Sequence, residues 1–171
     1  MLRSARAERT CLFVGIDPVA DNLVDSARAA TRNNVPNALF VLGSAERMPA
    51  ELDGCADRVT VLFPWGSLLR GIVEADPQVL AGISRLARPG ATLDVLLNAS
   101  VLEDALLCER LGLSRDLVRV PAKLTAAYAA AGIRIEPPVG VTPPLPYVTS
   151  WGQRLTNGTR RSVLSVRGVV A

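Results

Sequence analysis

The chain has 171 residues, 49% hydrophobic and 20% charged, with a net charge of +3. That balance fits a compact α/β protein, a single domain spanning 1–171 that is large enough to bury a core without staples. No apolar run reaches transmembrane length, and the stretch 11–16 behind the basic start is too short for a signal peptide. The cysteines at 11, 55 and 108 are odd in number and far apart, which predicts reduced thiols in the cytoplasm. With no Cys-x-x-Cys spacing, no metal site is expected. Histidine is absent. That removes Ser-His-Asp and Cys-His catalysis, His-ligated metals and a histidine general base. Chemistry here must work by binding and positioning, or through carboxylates.

Residues 12–16 form a short apolar run ending at Asp17 and read as a buried parallel strand. Pro18 can open a helix at its first turn, with Leu23, Ala27 and Ala30 on the packing face. Residues 33–37 are a turn, 38–42 a second strand, 43–49 a loop and 58–63 a third strand that delivers Pro64-Trp65 at its carboxyl end. Helices are expected over 67–73 and 76–87, then a turn at Arg88-Pro89-Gly90 and a fourth strand over 91–97. Two more helices, 105–111 and 122–131, end at Gly112 and Gly132. Residues 133–135 read as a short strand. Five prolines in 137–146 predict a loop or stiff linker rather than helix or central strand. Residues 162–169 read as a last, antiparallel strand.

Strands alternating with helices make a parallel sheet, and ligands of such sheets sit outside the carboxyl ends of the strands. Asp17, Glu46 and Trp65 each follow a predicted strand and are expected on one rim. An acid at the end of the second strand is the ribose-binding position of Rossmann-like sites, with a glycine-rich loop roughly 20 residues earlier. Counting back from Asp17 runs off the start of the chain. Either Asp17 is a helix cap or turn residue, or the first strand and its glycine loop are absent from the recorded polypeptide.

Aromatics are 4% of the chain, and both tryptophans sit beside Gly and Pro or Ser, in Phe63-Pro64-Trp65-Gly66 and Thr149-Ser150-Trp151-Gly152. Two indole faces left open in loops could clamp a nucleobase, each stack being worth roughly 1–3 kcal/mol. Two ordinary half-buried tryptophans are the alternative. From Trp151 to the end there are four arginines (154, 160, 161 and 167) and no acid. This strip suits phosphate contact, or else a solvated edge strand guarded by charge.

Three segments together resemble the KamB/NpmA group: Gly15-Ile16-Asp17-Pro18-Val19, Ser44-Ala45-Glu46-Arg47-Met48-Pro49, and the specific run Leu62-Phe63-Pro64-Trp65-Gly66-Ser67-Leu68-Leu69-Arg70-Gly71. Ser150-Trp151-Gly152-Gln153-Arg154-Leu155, with Arg160-Arg161 behind it, extends the likeness through nearly the whole chain. That group consists of S-adenosylmethionine-dependent methyltransferases of 16S ribosomal RNA that confer aminoglycoside resistance. The resemblance implies a Rossmann-like class I methyltransferase sheet with helices on both faces. Its cofactor would be S-adenosyl-L-methionine and its partner the small (30S) ribosomal subunit, approached as a monomer. Asp17, followed by Pro18, would bind the ribose, and Ala45 and Glu46 the adenine end. Pro64 would border the methyl donor. Trp65 and Trp151 would stack on a flipped adenine of the decoding site, with Thr149 or Ser150 positioning base or cofactor. Arg154, Arg160 and Arg161 would touch rRNA phosphates.

Members of that group begin with a strand and a Gly-x-Gly-type loop, whereas residues 2–8 here resemble the helix after it. A late start or a truncation is therefore expected, with a central strand missing. Thr159 stands where another basic residue would be expected, and 98–120 is short for the group's rRNA-contacting insert. Two other readings stay open. One is a methyltransferase of the same fold acting on another RNA or a small molecule, which would not need paired tryptophans. The other is an inactive truncated homologue.

Overall fold

The computed structural model describes residues 1–114, 121–142, 144–147, 149, 152 and 162–171. The chain divides into two compact units, Met1–Pro49 and Ala50–Ala171.

The first unit contains α1 (Leu2–Ala7), β1 (Phe13–Asp17), α2 (Ala20–Arg32) and β2 (Ala38–Leu42). Strands β1 and β2 pair in parallel from Phe13↔Ala38 to Asp17↔Leu42, with α2 as the crossover. Leu2, Phe13, Ala38 and Phe40 pack against a small buried core of Ala5, Ala30 and Val35. Asn37 fixes α1 to this core. Its Nδ2, with two hydrogens to share, lies within donating distance of the carbonyls of Ala5 (2.9 Å), Glu8 (3.1 Å) and Cys11 (2.8 Å), and the Ala5 carbonyl is one that the helix end leaves open. Helix α2 does not start at Pro18 as expected. Its N-cap is Val19, because the Asp17 carboxylate takes the Val19 N–H and holds Pro18 in a turn ahead of the helix.

The second unit is built on β3 (Ala56–Leu62), β4 (Ala87–Asn98), β5 (Ile133–Ile135), β6 (Val139–Val141) and β7 (Val163–Val170). The sheet order is β3-β4-β7-β5, with β6 also on β7. Strands β3 and β4 are parallel, and β7 runs antiparallel to β4, β5 and β6, as expected for the last strand. Leu93, Val95 and Leu97 of β4 are buried together with Leu69, Ile72 and Val73 of α3 (Gly66–Val73) and Val79, Leu80 and Ile83 of α4 (Pro77–Leu86). Asp76 caps α4 by accepting from Gln78 and Val79 N–H, with Pro77 at the first helical position. The short helices α5 (Ala99–Glu103) and α6 (Ala105–Leu111) follow β4, and Gly112 closes α6 in the left-handed conformation. Helix α7 (Pro121–Ala130) is tied to α3 by the buried Tyr128 hydroxyl, which donates to the Ile72 carbonyl at 3.0 Å.

Two local expectations need correction, and one unassigned segment gains a helix. Arg88-Pro89-Gly90 is part of β4 rather than a turn. The pairing steps from Ala56↔Ala87 to Arg58↔Thr92, so the extra residues form a bulge where Gly90 takes φ +83°. The proline-rich stretch is interrupted by β6, which pairs with β7 through a proline-free Val-Gly-Val. Residues 99–103, left unassigned from sequence, form α5 because the Asn98 side chain accepts from Ser100 N–H.

Candidate functional site

In the first unit the site residues gather at one end of the two parallel strands. Asp17 closes β1 opposite Leu42, and its carbonyl accepts from Gly43 N–H at 3.1 Å. The next residues make a tight turn in which Arg47 N–H donates to the Ser44 carbonyl at 3.0 Å. Ala45 is half-buried on this turn and Glu46 is exposed. Asp17 Oδ1 accepts from Val19 N–H (2.8 Å) and from Asn22 Nδ2 (3.1 Å). Asp17 is therefore a turn residue, and that role leaves a ligand role possible, because both bonds fall on Oδ1 and neither uses Oδ2. Carboxylates only accept hydrogen bonds, so an Asp at the end of one parallel strand and a Glu after the next suit the donor hydroxyls and amino group of a nucleoside. Sequence reasoning missed Asn22. The only available signal was its position five residues after Asp17, in the first turn of α2.

In the second unit β3 ends in an unusual turn. Phe63 N–H continues the ladder to the Leu96 carbonyl at 2.8 Å, but Phe63 itself has φ +52°. A bulky residue in the left-handed region, directly before a proline, costs on the order of 1–3 kcal/mol. Trp65 caps α3 in extended conformation without a side-chain bond, Gly66 follows at φ +59°, and the indole is 60% exposed. The half-buried alternative does not describe Trp65.

The second tryptophan motif comes to the same turn. Gly152 donates its N–H to Thr149 Oγ1 at 2.8 Å. A Cβ placed on Gly152 would stand 2.9 Å from that oxygen, 3.2 Å from Phe63 Cε2 and 3.4 Å from Leu145 Cδ1. The residue after Trp151 thus packs against the residue two before Trp65, with no room for a side chain. Trp151, Ser150, Arg154, Arg160 and Arg161 lie outside the described residues.

Sequence reasoning also missed a polar anchor beneath this segment. Tyr147 Oη donates to Asp94 Oδ2 at 2.6 Å, across 53 residues of chain. Burial, with help from Asp94, pushes the phenol up to about 12. Arg167 Nε stands 3.8 Å from the other Asp94 oxygen.

Comparison with solved structures places this architecture. The aminoglycoside resistance methyltransferase NpmB1 superposes with a TM-score of 0.83 at 36% identity, over 99% of this chain and 81% of that one. A 16S rRNA (adenine(1408)-N(1))-methyltransferase mutant from Catenulisporales acidiphilia, solved with cosubstrate SAM, gives 0.79 at 31% identity, over 99% and 78%. The fold is that of the S-adenosylmethionine-dependent methyltransferases. A family model described as NpmA, 16S rRNA (adenine(1408)-N(1))-methyltransferase, matches residues 1–170. A protein of that name from Streptoalloteichus tenebrarius is 33% identical over 177 residues, covering 98% of this chain and 80% of its own. One from Escherichia coli is 28% identical over 172 residues, covering 96% and 78%. The chain belongs to this family of rRNA methyltransferases.

Proposed function

We propose that this enzyme transfers the methyl group of S-adenosyl-L-methionine to N1 of an adenine in the decoding site of 16S rRNA, within the small ribosomal subunit, and so confers aminoglycoside resistance. The observation that carries this reading is the packing of Gly152 against Phe63, which brings the two Trp-Gly motifs to one turn. The names of the relatives, which specify adenine 1408 and N1, supply the acceptor.

When bound, S-adenosylmethionine supplies an electrophilic sulfonium methyl. Asp17 and Glu46 hold its ribose and adenine ends, with Pro18 and Ala45 beside them, and Pro64 with Thr149 or Ser150 borders the methyl. Adenine N1 carries a lone pair at neutral pH. As N1–CH₃ forms, S–CH₃ breaks and sulfur keeps the electron pair. The methylated adenine carries the positive charge and can release a proton from its amino group to water. No general base is needed, consistent with a chain that has no histidine. What the protein must supply is alignment. Trp65 and Trp151 stack on the flipped base and offset the few kcal/mol of unstacking. Arg154, Arg160 and Arg161 hold rRNA phosphates.

The test is transfer of labelled methyl to purified small subunits. Trp65→Ala and Trp151→Ala are each expected to reduce transfer at least a hundredfold while S-adenosylmethionine affinity stays within about threefold, a loss equivalent to about 2.7 kcal/mol. Near-normal transfer by either variant would falsify the clamp. An absence of wild-type transfer with cofactor binding intact would instead point to another RNA or a small-molecule acceptor.

A further inference from the structure

We propose that Tyr147 and Asp94 form a latch that ties residues 144–147 to the sheet and thereby sets where Thr149 and Gly152 stand against Phe63; this rests on the base-clamp reading above.

Asp94 sits in the middle of β4, a strand otherwise filled at this point by the buried Leu93, Val95, Leu96 and Leu97. An acid among such neighbours needs a reason. Both of its oxygens are engaged, Oδ2 by Tyr147 Oη at 2.6 Å and Oδ1 by Arg167 Nε at 3.8 Å. The 2.6 Å separation is that of a phenol donating to an ionised carboxylate, the stronger class of hydrogen bond. Arg58 of β3 lines the same hollow as Asp94 and Arg167. In the sheet register Asp94 pairs with Thr60 on one side and Arg167 on the other. The anchor therefore rests on three adjacent strands.

The connection itself is suited to being held at one point. Pro144 and Pro146 stiffen the approach to Tyr147. Two residues beyond the anchor, Thr149 accepts from Gly152, and Gly152 lies against Phe63. A bond at Tyr147 thus limits where Thr149 and Gly152 can stand relative to Phe63. Reaction rates are sensitive to this kind of placement, since a misplacement of about 1 Å can cost about a hundredfold. Tyr147 and Asp94 are positioning residues. They act through the clamp and do not touch the base.

Two measurements test the latch. In the first, Tyr147→Phe and Asp94→Asn are compared singly and together for transfer to small subunits. Each single variant is expected to lower kcat about tenfold, with KM for subunits and S-adenosylmethionine affinity within twofold. The double variant should be no worse than either single one. Wild-type kcat in a single variant, additive losses in the double, or equal decline of every parameter along with Tm would each overturn the proposal. The second measurement needs no acceptor. With Trp65 replaced by Phe, Trp151 is the only indole, and acrylamide quenching reports its exposure. Adding Tyr147→Phe is expected to change the quenching constant at least twofold. An unchanged constant overturns the latch even if the true acceptor is not rRNA, whereas a changed constant with no subunit methylation by the wild-type chain retains the latch and removes the rRNA reading.

Discussion

Asp17 carries a turn on one carboxylate oxygen, and the proposed cofactor contact falls to the other. Its Oδ1 shapes the Pro18-Val19 turn and accepts from Asn22, and neither bond uses Oδ2. Removing the carboxylate by Asp17→Ala should lower S-adenosylmethionine affinity by tenfold or more, about 1.4 kcal/mol. Asn22→Ala should lower it by a few fold, through loss of orientation only. Titration calorimetry of the two variants separates these outcomes. Equal affinity in Asp17→Ala would remove Asp17 from the cofactor site. The places of Asp17, Glu46 and Trp65 at or after strand ends were legible in the sequence because each follows an apolar run short enough to be a strand. Asn22 and Tyr147 were not. Asn22 is defined by a bond inside a turn that the Pro18 reading placed differently. Tyr147 is defined by an acid 53 residues away, and no local pattern reports that separation.

At the level of elements, the pairing of α3 with α7 depends on one hydroxyl. Ile72 lies in the last turn of α3, where carbonyls lack an intrahelical donor, and Tyr128 Oη supplies one. Tyr128→Phe is expected to lower the unfolding free energy by about 1–3 kcal/mol, read from urea midpoints at constant m. Burial holds the Tyr128 phenol well above its ordinary range. Its neutral form is therefore favoured in the folded state. The stabilisation is complete below about pH 10, where the unfolded side chain titrates, and is lost as pH rises from there toward the folded value. The wild type should lose stability above about pH 10 more steeply than the Phe variant, and equal slopes would contradict the burial assignment. Strand and helix positions followed from apolar periodicity, yet two elements escaped it. Arg88-Pro89-Gly90 has turn composition, and only pairing with β3 draws it into β4 as a bulge. β6 is three residues set among prolines, made a strand by its contact with β7 rather than by its own propensity.

For the molecule as a whole, the net charge of +3 understates how unevenly charge is distributed, because residues 151–171 carry four arginines and no acid. Their fates differ. Arg167 stands beside Asp94 in the sheet, while Arg154, Arg160 and Arg161 belong to the proposed RNA contact. Arg160→Ala should weaken binding to small subunits and reduce the slope of log affinity against log salt by about one unit or slightly less. A filter-binding series from low to moderate salt measures this, and an unchanged slope would return Arg160 to a solvated surface role. The overall alternation of strand and helix was open to sequence reading, as was the reversal of the last strand, since both depend on spacing and connection length. The meeting of the two tryptophan motifs was not, because it is a contact between chain segments almost ninety positions apart.

The close fit between Phe63 and Gly152 also constrains any attempt to recombine this protein with its relatives. Each segment is fitted to the other: a Cβ at position 152 would crowd Thr149 Oγ1 at 2.9 Å and press on the Phe63 ring at 3.2 Å. A chimera that imports a foreign β6–β7 connection while keeping the native Phe63-Pro64-Trp65-Gly66 turn would inherit one half of a matched pair. Exchanging both segments together, with the Asp94 anchor, is the smallest graft that preserves their shared surface.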